Sequence, residues 1–278
     1  MNATHTAFKS TKSNVTHKRV NREAPLRIRQ SDDLLERIHA ACRAWDIPFD
    51  TLRDRLFVSP PNAKLILTGT FSFALPAAFG CPGAAACLTP CLAMKGHYGV
   101  FNVQQPRIEN LLWIHRHGWN AWADAMIEVL TTRRGPAVIG MMRFDQPQIV
   151  AIETFRWHDS GDWLNQEHLD AAVRVMRACP HIRFYSYTKS LHLDWTDALT
   201  LPNYNRIQSF GGRYDKRIDL SLPHAIMVTT LEDLEAAEAE GYVYGSDSEL
   251  PAINGEQRIV LMEIDRKRFL KNKKGLTK

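Results

Sequence analysis

The sequence predicts an α/β fold: a partial or complete parallel (β/α) barrel with an N-terminal helical extension and disordered basic tails. Segments rich in branched apolar residues alternate with amphipathic segments along most of the chain. This alternation favours parallel strands joined by right-handed helical crossovers. Small and polar residues follow the predicted strands, as expected of loops at one edge of such a sheet. An open, doubly wound sheet is the alternative.

Length and charge predict the domain organisation. At 278 residues the chain has room for one large core or for two modest domains. We predict a single barrel-like domain over residues 31–264, between tails at residues 1–30 and 265–278. Each tail holds seven Lys or Arg residues against one acidic residue, which leaves the body with 21 basic and 28 acidic residues. Such tails are typical of disordered solubilising extensions, and they can also contact nucleic acid.

The N-terminus has no apolar segment of the kind that starts a secretory signal, and no apolar run is long enough to cross a bilayer. We therefore expect a soluble cytoplasmic protein with no membrane partner. Structural disulfides are rare in that reducing compartment. Clustered thiols there indicate metal or redox chemistry.

The first half of the domain begins with a helix. Ser31 is its expected N-cap, and apolar residues from Leu34 to Trp45, including Cys42, share one face. We interpret Cys42 as a buried apolar residue. The segment Lys64–Thr70 is rich in branched residues and predicts a buried strand leading to the cysteine loop. Two helical patterns follow, from residue 105 to about residue 133.

The second half alternates strands with helices. Asn165 precedes an amphipathic helix that ends near Cys179, which we interpret as a structural thiol. Thr230 is the expected cap of a helix rich in Ala and Glu that Gly241 ends. The predicted strands are residues 149–159, 182–188, 205–210 and 224–230, followed by two closing strands near residues 242–245 and 257–264, and a short helix is predicted near residues 193–199.

Polar residues cluster where three of these strands end. The clusters are His158, Asp159, Ser160, Gly161 and Asp162; then Thr188 and Lys189; then Ser209, Gly211, Gly212 and Arg213. Parallel strands end at one edge of a sheet, where α/β proteins bind ligands, so these clusters should lie together. Helix capping and turn formation use the same residue types and would explain any one cluster alone.

Three of the five cysteines stand in the segment CPGAAACLTPCLAMKG, which we call the thiol loop (residues 81–96). Cys81, Cys87 and Cys91 can converge if the backbone curls at its Pro and Gly residues. Thiolates bind soft metals, and a [4Fe–4S] cluster held by three Cys leaves one iron open. Zinc is the rival, with His97 as its fourth ligand. Buried thiols without any metal are the third reading.

Two hydrolytic or nucleophilic alternatives use the same residues. His158, Asp159 and Asp162 are suitable ligands for a divalent ion in a nuclease or another hydrolase. Alternation along a strand, however, points Asp159 away from His158, and the thiol loop would have no role. A nucleophilic Cys81 or Cys91 with a His base is the other alternative.

The thiol loop, a following helix that contains Asn110, and the strand ends RWHDSGDW and FYSYTKS resemble, in this order, the phage gene product 88 family. The resemblance covers roughly residues 60–230. It implies a protein of bacteriophages or related mobile elements that works in the cytoplasm of a bacterial host. The resemblance implies no particular reaction.

The layout is also similar to that of radical S-adenosylmethionine enzymes, which hold a cluster with three Cys after the first barrel strand. That similarity implies that Ser160, Gly161 and Asp162 lie where the cofactor's amino group binds. Lys189 and Arg213 would then face its carboxylate or an anionic substrate.

The predicted function is therefore an iron–sulfur redox enzyme that uses S-adenosylmethionine on a small-molecule or nucleic-acid-derived substrate; the sequence does not indicate the electron donor. The predicted site has three sets: catalytic His158, Asp159 and Lys189; cofactor-binding Ser160, Gly161, Asp162, Ser209 and Arg213; and metal-binding Cys81, Cys87 and Cys91. The alternative function is a zinc-stabilised module that binds nucleic acid through its basic tails.

Overall fold

The computed structural model describes residues 31–61, 65, 68–89, 91–94, 98, 100–132, 152–246 and 248–262. The predicted tails at residues 1–30 and 265–278 lie outside these residues. The described strands are β1 (Val58–Ser59), β2 (Thr70–Phe73), β3 (Thr154–Trp157), β4 (Arg183–Thr188), β5 (Tyr204–Ser209), β6 (His224–Val228), β7 (Val243–Tyr244) and β8 (Arg258–Met262). The described helices are α1 (Leu34–Trp45), α2 (Phe101–Thr132), α3 (Gln166–Ala178), α4 (Thr196–Leu199), α5 (Leu231–Ala239) and α6 (Leu250–Asn254).

The described strands form one sheet in the order β1-β2-β3-β4-β5-β6-β8-β7. Only β1 runs antiparallel to its neighbour, and the other pairs are parallel. Strands that follow one another in the chain are therefore mostly neighbours in the sheet. Within the described residues the two edge strands do not pair, so the sheet is open and the predicted complete barrel is not seen.

The long helices cover one face of the sheet. Phe73, Phe155, Trp157 and Phe184 project from successive strands into the main apolar core, which α1, α2 and α3 complete. Further along the sheet, α5 packs on the same face against Val260 and Met262. Side chains alternate along a strand, so Ser72, Arg156, Tyr185 and Tyr187 belong to the opposite face. There α6 contributes Ala252 to a small core with Tyr185.

Several predicted helix ends are confirmed, and one is wrong. The Asn165 side chain accepts from His168 N–H at the start of α3, and that of Thr230 accepts from Asp233 N–H at the start of α5. The cap of α1 is Asp33 rather than Ser31, because the Asp33 carboxylate accepts from the first-turn N–H groups. Ser31 instead accepts a hydrogen bond from Asp33 N–H.

The predicted strand Lys64–Thr70 is displaced. Its described residues Leu65, Thr68 and Gly69 form turns, and β2 begins at Thr70. Gly69 has a φ of +58°, a left-handed conformation that interrupts an extended strand. The two predicted helical patterns are the two halves of α2, which is broken at Gly118 with φ 77° and ψ 173°.

A buried amide holds α2 against the first strands. The Asn110 side chain accepts from Phe57 N–H at 2.7 Å and donates to Phe57 C=O at 3.0 Å and to Ala74 C=O at 2.9 Å. Ala74 directly follows β2, so this contact fixes the start of the segment that leads to the thiol loop. None of the helices in the described part of the chain has the length and apolar character needed to span a membrane.

Candidate metal and cofactor site

The thiol loop is hydrogen-bonded to the loop that follows β5. The N–H of Cys87 donates to Gly211 C=O at 3.0 Å, and the N–H of Arg213 donates to Gly83 C=O at 2.9 Å. Gly83 also lies against the end of β4, where an added Cβ would be 2.6 Å from Lys189 C=O. Only glycine permits so close an approach. The thiol loop therefore packs against the ends of β4 and β5.

The loop after β3 is attached to the same region. The N–H of Asp162 donates to Gly80 C=O at 2.7 Å, and the N–H of Leu75 donates to Ser160 C=O at 2.9 Å. Gly161 has a φ of +85°, and an added Cβ would be 2.6 Å from Leu75 Cβ. The predicted meeting of the thiol loop with the ends of β3, β4 and β5 is confirmed for their backbones.

The three loop thiols interact electrostatically with one another. Burial raises the pKa of Cys81, and its electrostatic interactions with Cys91, Asp162 and Cys87 raise it further. Burial likewise raises the pKa of Cys91, with Cys87 contributing in the same direction. Three adjacent thiols that repel one another as thiolates stay protonated unless a cation compensates their charge.

Two features favour a thiolate at Cys91 nonetheless. Backbone N–H groups of Ala93 and Met94 hydrogen-bond its sulfur, and the Lys189 ammonium lies near enough to lower its pKa. N–H groups and cations directed at sulfur stabilise metal-bound thiolates and tune the potential of iron–sulfur clusters. Within the described residues, no group of three or more His, Cys, Asp or Glu side chains is arranged to hold a metal ion.

Asp162 is a buried hydrogen-bond acceptor at the centre of the site. One oxygen accepts from Trp163 N–H at 2.8 Å and from the Thr188 hydroxyl at 2.8 Å. The other accepts from Lys189 N–H at 2.8 Å. Burial raises the pKa of Asp162, and these hydrogen bonds oppose that shift. The carboxylate therefore ties the end of β3 to the end of β4.

Lys189 and Ser209 form a pair at the ends of β4 and β5. The Lys189 ammonium donates to the Ser209 hydroxyl at 2.6 Å. The Arg213 residue is exposed, and its backbone rather than its guanidinium makes the contact with the thiol loop. Ser160 is buried, and its hydroxyl has no hydrogen-bond partner among the described residues.

His158 belongs to an aromatic cluster rather than to the thiols. Its ring packs edge-on against Trp163 at 4.6 Å and His168 at 5.0 Å between centroids, and both of its ring nitrogens lack a described partner. Burial, with a further contribution from Arg156, lowers the pKa of His158 to about 3. The ring is therefore neutral at physiological pH, and the catalytic role predicted for it stays a prediction.

Asp159 forms an ion pair with a residue of α2. Its carboxylate pairs with Arg107 at 3.2 Å, and both side chains are almost fully buried. His158, Asp159 and Asp162 thus contact three different sets of partners. This separation does not favour the divalent-ion site of the hydrolase alternative.

A second set of buried polar residues was missed by sequence analysis. The Arg156 guanidinium pairs with Glu249 at 3.0 Å, and the Tyr185 hydroxyl donates to the other Glu249 oxygen at 3.1 Å. The sequence held one signal for this set, because the charged residue Arg156 stands between two aromatic residues, Phe155 and Trp157, of a predicted strand. Nothing in the sequence indicated its partner, which lies 93 residues further along the chain.

Cys42 and Cys179 are buried in the main apolar core, as predicted for structural thiols. His97, the proposed fourth zinc ligand, lies outside the described residues.

A family model described as gene product 88 matches residues 52–275 of the chain. The matched segment contains the thiol loop and every described strand. No curated protein and no solved structure matches the chain significantly.

Proposed function

The chain belongs to the gene product 88 family, whose matched segment includes the whole thiol loop, and we propose that it is an iron–sulfur protein. Cys81, Cys87 and Cys91 are the proposed ligands of a [4Fe–4S] cluster at the carboxyl edge of the sheet. The observation that carries this proposal is the electrostatic interaction of the three thiols with one another and of Cys91 with Lys189. Such a set has little stability as free thiolates, and a bound cationic centre supplies the missing charge.

Among the residues that the structure describes, the available donors favour a cluster over zinc. A zinc site needs a fourth ligand, usually Cys, His or a carboxylate. Both oxygens of the nearby Asp162 already accept hydrogen bonds, and the His158 ring packs among aromatic side chains. Three Cys ligands suit a [4Fe–4S] cluster, in which they leave one iron open to another ligand.

The thiol pKa values also argue against a nucleophilic cysteine. A catalytic thiolate requires a pKa below its ordinary value. In this protein burial raises the pKa of both Cys81 and Cys91. Ligation is the role that overcomes such a shift, because a metal displaces the thiol proton.

We further propose that the protein is a redox enzyme of the radical S-adenosylmethionine type, built on a partial barrel. The strand order supports the partial barrel, since successive parallel strands with long helices on one face are the arrangement of a barrel wall. A bound cluster would supply one electron for reductive cleavage of the cofactor. The Lys189–Ser209 pair would bind the cofactor's carboxylate, and the buried, unpartnered Ser160 hydroxyl would bind its polar end.

The test is anaerobic purification and reconstitution of the full chain, followed by iron and sulfide analysis, visible absorption and electron paramagnetic resonance. We expect about four iron atoms per chain. Cys81→Ala, Cys87→Ala and Cys91→Ala should each lose most of the iron and the absorption. Cys42→Ala and Cys179→Ala are matched controls, since they remove buried thiols outside the loop and should keep the cluster.

A colourless protein with one zinc per chain would overturn this proposal in favour of the alternative, a zinc-stabilised nucleic-acid-binding module. The charge of the two tails favours that alternative, but the tails lie outside the described residues. Its own signature is nucleic-acid affinity that falls steeply with salt and is lost when residues 1–30 and 265–278 are removed.

A further inference from the structure

A network of buried polar side chains extends from the face of the sheet on which α6 packs. We call it the polar cluster: Tyr98, Arg107, Arg156, Asp159, Tyr185, Tyr187 and Glu249. It contains two ion pairs, Arg156 with Glu249 at 3.0 Å and Arg107 with Asp159 at 3.2 Å. Burying two ion pairs costs desolvation free energy unless each charged group finds hydrogen-bond partners.

Tyr98 joins the two ion pairs into one cluster. The pKa of Tyr98 is raised overall, mainly by the charge of Asp159 and by burial, with a smaller contribution from Glu249. The charges of Arg156 and Arg107 oppose this shift. The Arg107 guanidinium carbon lies 4.6 Å from the centre of the Tyr98 ring. The Tyr98 phenol is therefore within electrostatic range of all four charges.

Polar atoms of this cluster have no hydrogen-bond partner among the described residues. They are Arg107 Nη1, Arg156 Nε, Asp159 Oδ1 and the Tyr187 hydroxyl. Arg107 is only 5% exposed. An unpaired buried polar atom destabilises a fold, so several in one place indicate that another molecule satisfies them. The Arg156 side chain keeps 19% of its exposure, so the cluster is not fully closed to solvent.

The unpaired atoms define the chemistry of that molecule. Two guanidinium N–H groups bind an anionic oxygen group. The Asp159 oxygen and the Tyr187 hydroxyl accept hydrogen bonds from a neighbouring hydroxyl or amine. Within the cluster, the positive charges of Arg107 and Arg156 are balanced by the negative charges of Asp159 and Glu249. With no net positive charge, the cluster suits a singly charged carboxylate better than a doubly charged phosphate.

We propose that the polar cluster binds the substrate, a small carboxylate that carries a hydroxyl or amino group next to its carboxylate. Strand alternation places Lys189 on the same face as Tyr187 and closer to the thiol loop. The proposed ligand therefore lies farther from the carboxyl edge of the sheet than the proposed iron–sulfur site. The assignment deepens the proposed function and rests on it for the ligand's role as a substrate, whereas ligand binding itself requires no iron.

The experiment measures binding of glycolate and glycine to the full chain by ligand-observed NMR and by thermal unfolding. Acetate lacks the donor, ethanolamine lacks the carboxylate, and inorganic phosphate tests a different oxyanion. We expect glycolate or glycine to bind more tightly than all three of these compounds. Failure of both to bind, or tighter binding of phosphate or ethanolamine, would overturn the assignment.

Tyr187→Phe is the decisive variant, because it removes a hydroxyl that has no partner and so should not impair folding. Its affinity for the preferred probe should fall about tenfold, the effect of one hydrogen bond. Tyr214→Phe removes a hydroxyl outside the cluster and should bind like the wild type. Unchanged binding by Tyr187→Phe would contradict the proposal.

The same measurements on a variant with Cys81, Cys87 and Cys91 all changed to Ala separate this inference from the proposed function. Retained binding without iron in either protein leaves the polar cluster intact and sinks only the iron–sulfur proposal. An iron-loaded wild type that binds neither glycolate nor glycine sinks only the inference.

Discussion

The carboxylate of Asp162 accepts a hydrogen bond from the backbone N–H of Lys189 at 2.8 Å. This contact joins the ends of β3 and β4. Asp162 also donates its own N–H to Gly80 C=O, directly before the thiol loop. Asp162 therefore holds two segments of the site: its carboxylate binds the backbone of Lys189, and its backbone N–H binds the residue directly before the thiol loop.

Asp162→Ala should lower the free energy of unfolding by at least about 3 kcal/mol. The change leaves the N–H groups of Trp163 and Lys189 and the Thr188 hydroxyl without their acceptor, and each buried unpaired donor costs about 1–3 kcal/mol. Urea unfolding measures the loss. Asp32→Ala, at an exposed carboxylate, is the control and should unfold near the wild-type midpoint. Similar midpoints for the two variants would refute the central role of Asp162.

His158 predicts an acid-sensitive fold. Its pKa falls from 6.5 in the unfolded chain to about 3 in the folded protein, mainly because of burial. The unfolded state therefore binds the proton first, and stability should decrease as the pH falls from 6.5 towards 3, by roughly 1 kcal/mol per pH unit. The stability is fully present above pH 6.5.

His158→Asn tests this pH dependence. Asn tolerates the left-handed backbone of residue 158, where φ is +59°, and it does not titrate. Denaturant unfolding between neutral and acidic pH should show a shallower loss of stability for His158→Asn than for the wild type. His168, whose pKa burial also lowers, accounts for part of the remaining slope. Parallel curves would show that His158 is not buried in its neutral form.

Gly83→Ala should detach the thiol loop from β4. An added Cβ would lie 2.6 Å from Lys189 C=O, a distance that backbone atoms cannot accept, so the loop must move. We expect loss of iron after reconstitution and a lower melting temperature. Gly241→Ala is the control: φ is +90° there, but no atom lies within 4 Å of the added Cβ, so it costs about 1 kcal/mol of backbone strain and keeps the iron. Full iron loading of Gly83→Ala would separate the thiol loop from its seat on β4.

Lys189→Met should make Cys91 less reactive in the metal-free protein. The ammonium of Lys189 lowers the pKa of Cys91, so its removal reduces the thiolate fraction at any given pH. Alkylation by iodoacetamide, followed for Cys91 by peptide mass spectrometry, should slow, and its pH profile should shift upward. Lys216→Met, at an exposed lysine, should leave the rate unchanged. An equal rate in Lys189→Met and the wild type would place the ammonium away from the thiol.

Much of the fold was predictable because local patterns specify it. The helices after Asn165 and Thr230 begin where a short polar side chain caps them, and this interaction needs no distant partner. The displaced strand shows the limit of such reasoning. Lys64–Thr70 has the composition of a strand, but Gly69 adopts a left-handed conformation, and the N–H groups of Thr68 and Thr70 donate to Leu65 C=O to close a turn.

The site was predictable where sequence position and sheet topology coincide. Loops that follow parallel strands must meet at one edge, and the thiol loop, Asp162 and Lys189 do so. His158 and Asp159 were placed correctly at this edge, but their side chains turn to an aromatic cluster and to Arg107. Adjacent residues point in different directions, and the partner of Asp159 lies 52 residues earlier in the chain.

The sequence by itself determined the α/β class, the caps of α3 and α5 and the grouping of three thiols with polar strand ends. These properties depend on local periodicity and on the shared direction of parallel strands. Only the tertiary structure decided that Asp162 is saturated with hydrogen bonds and that Arg156 pairs with Glu249. Such pairs join residues far apart in the chain, and burial alone determines which polar atoms are left for a ligand.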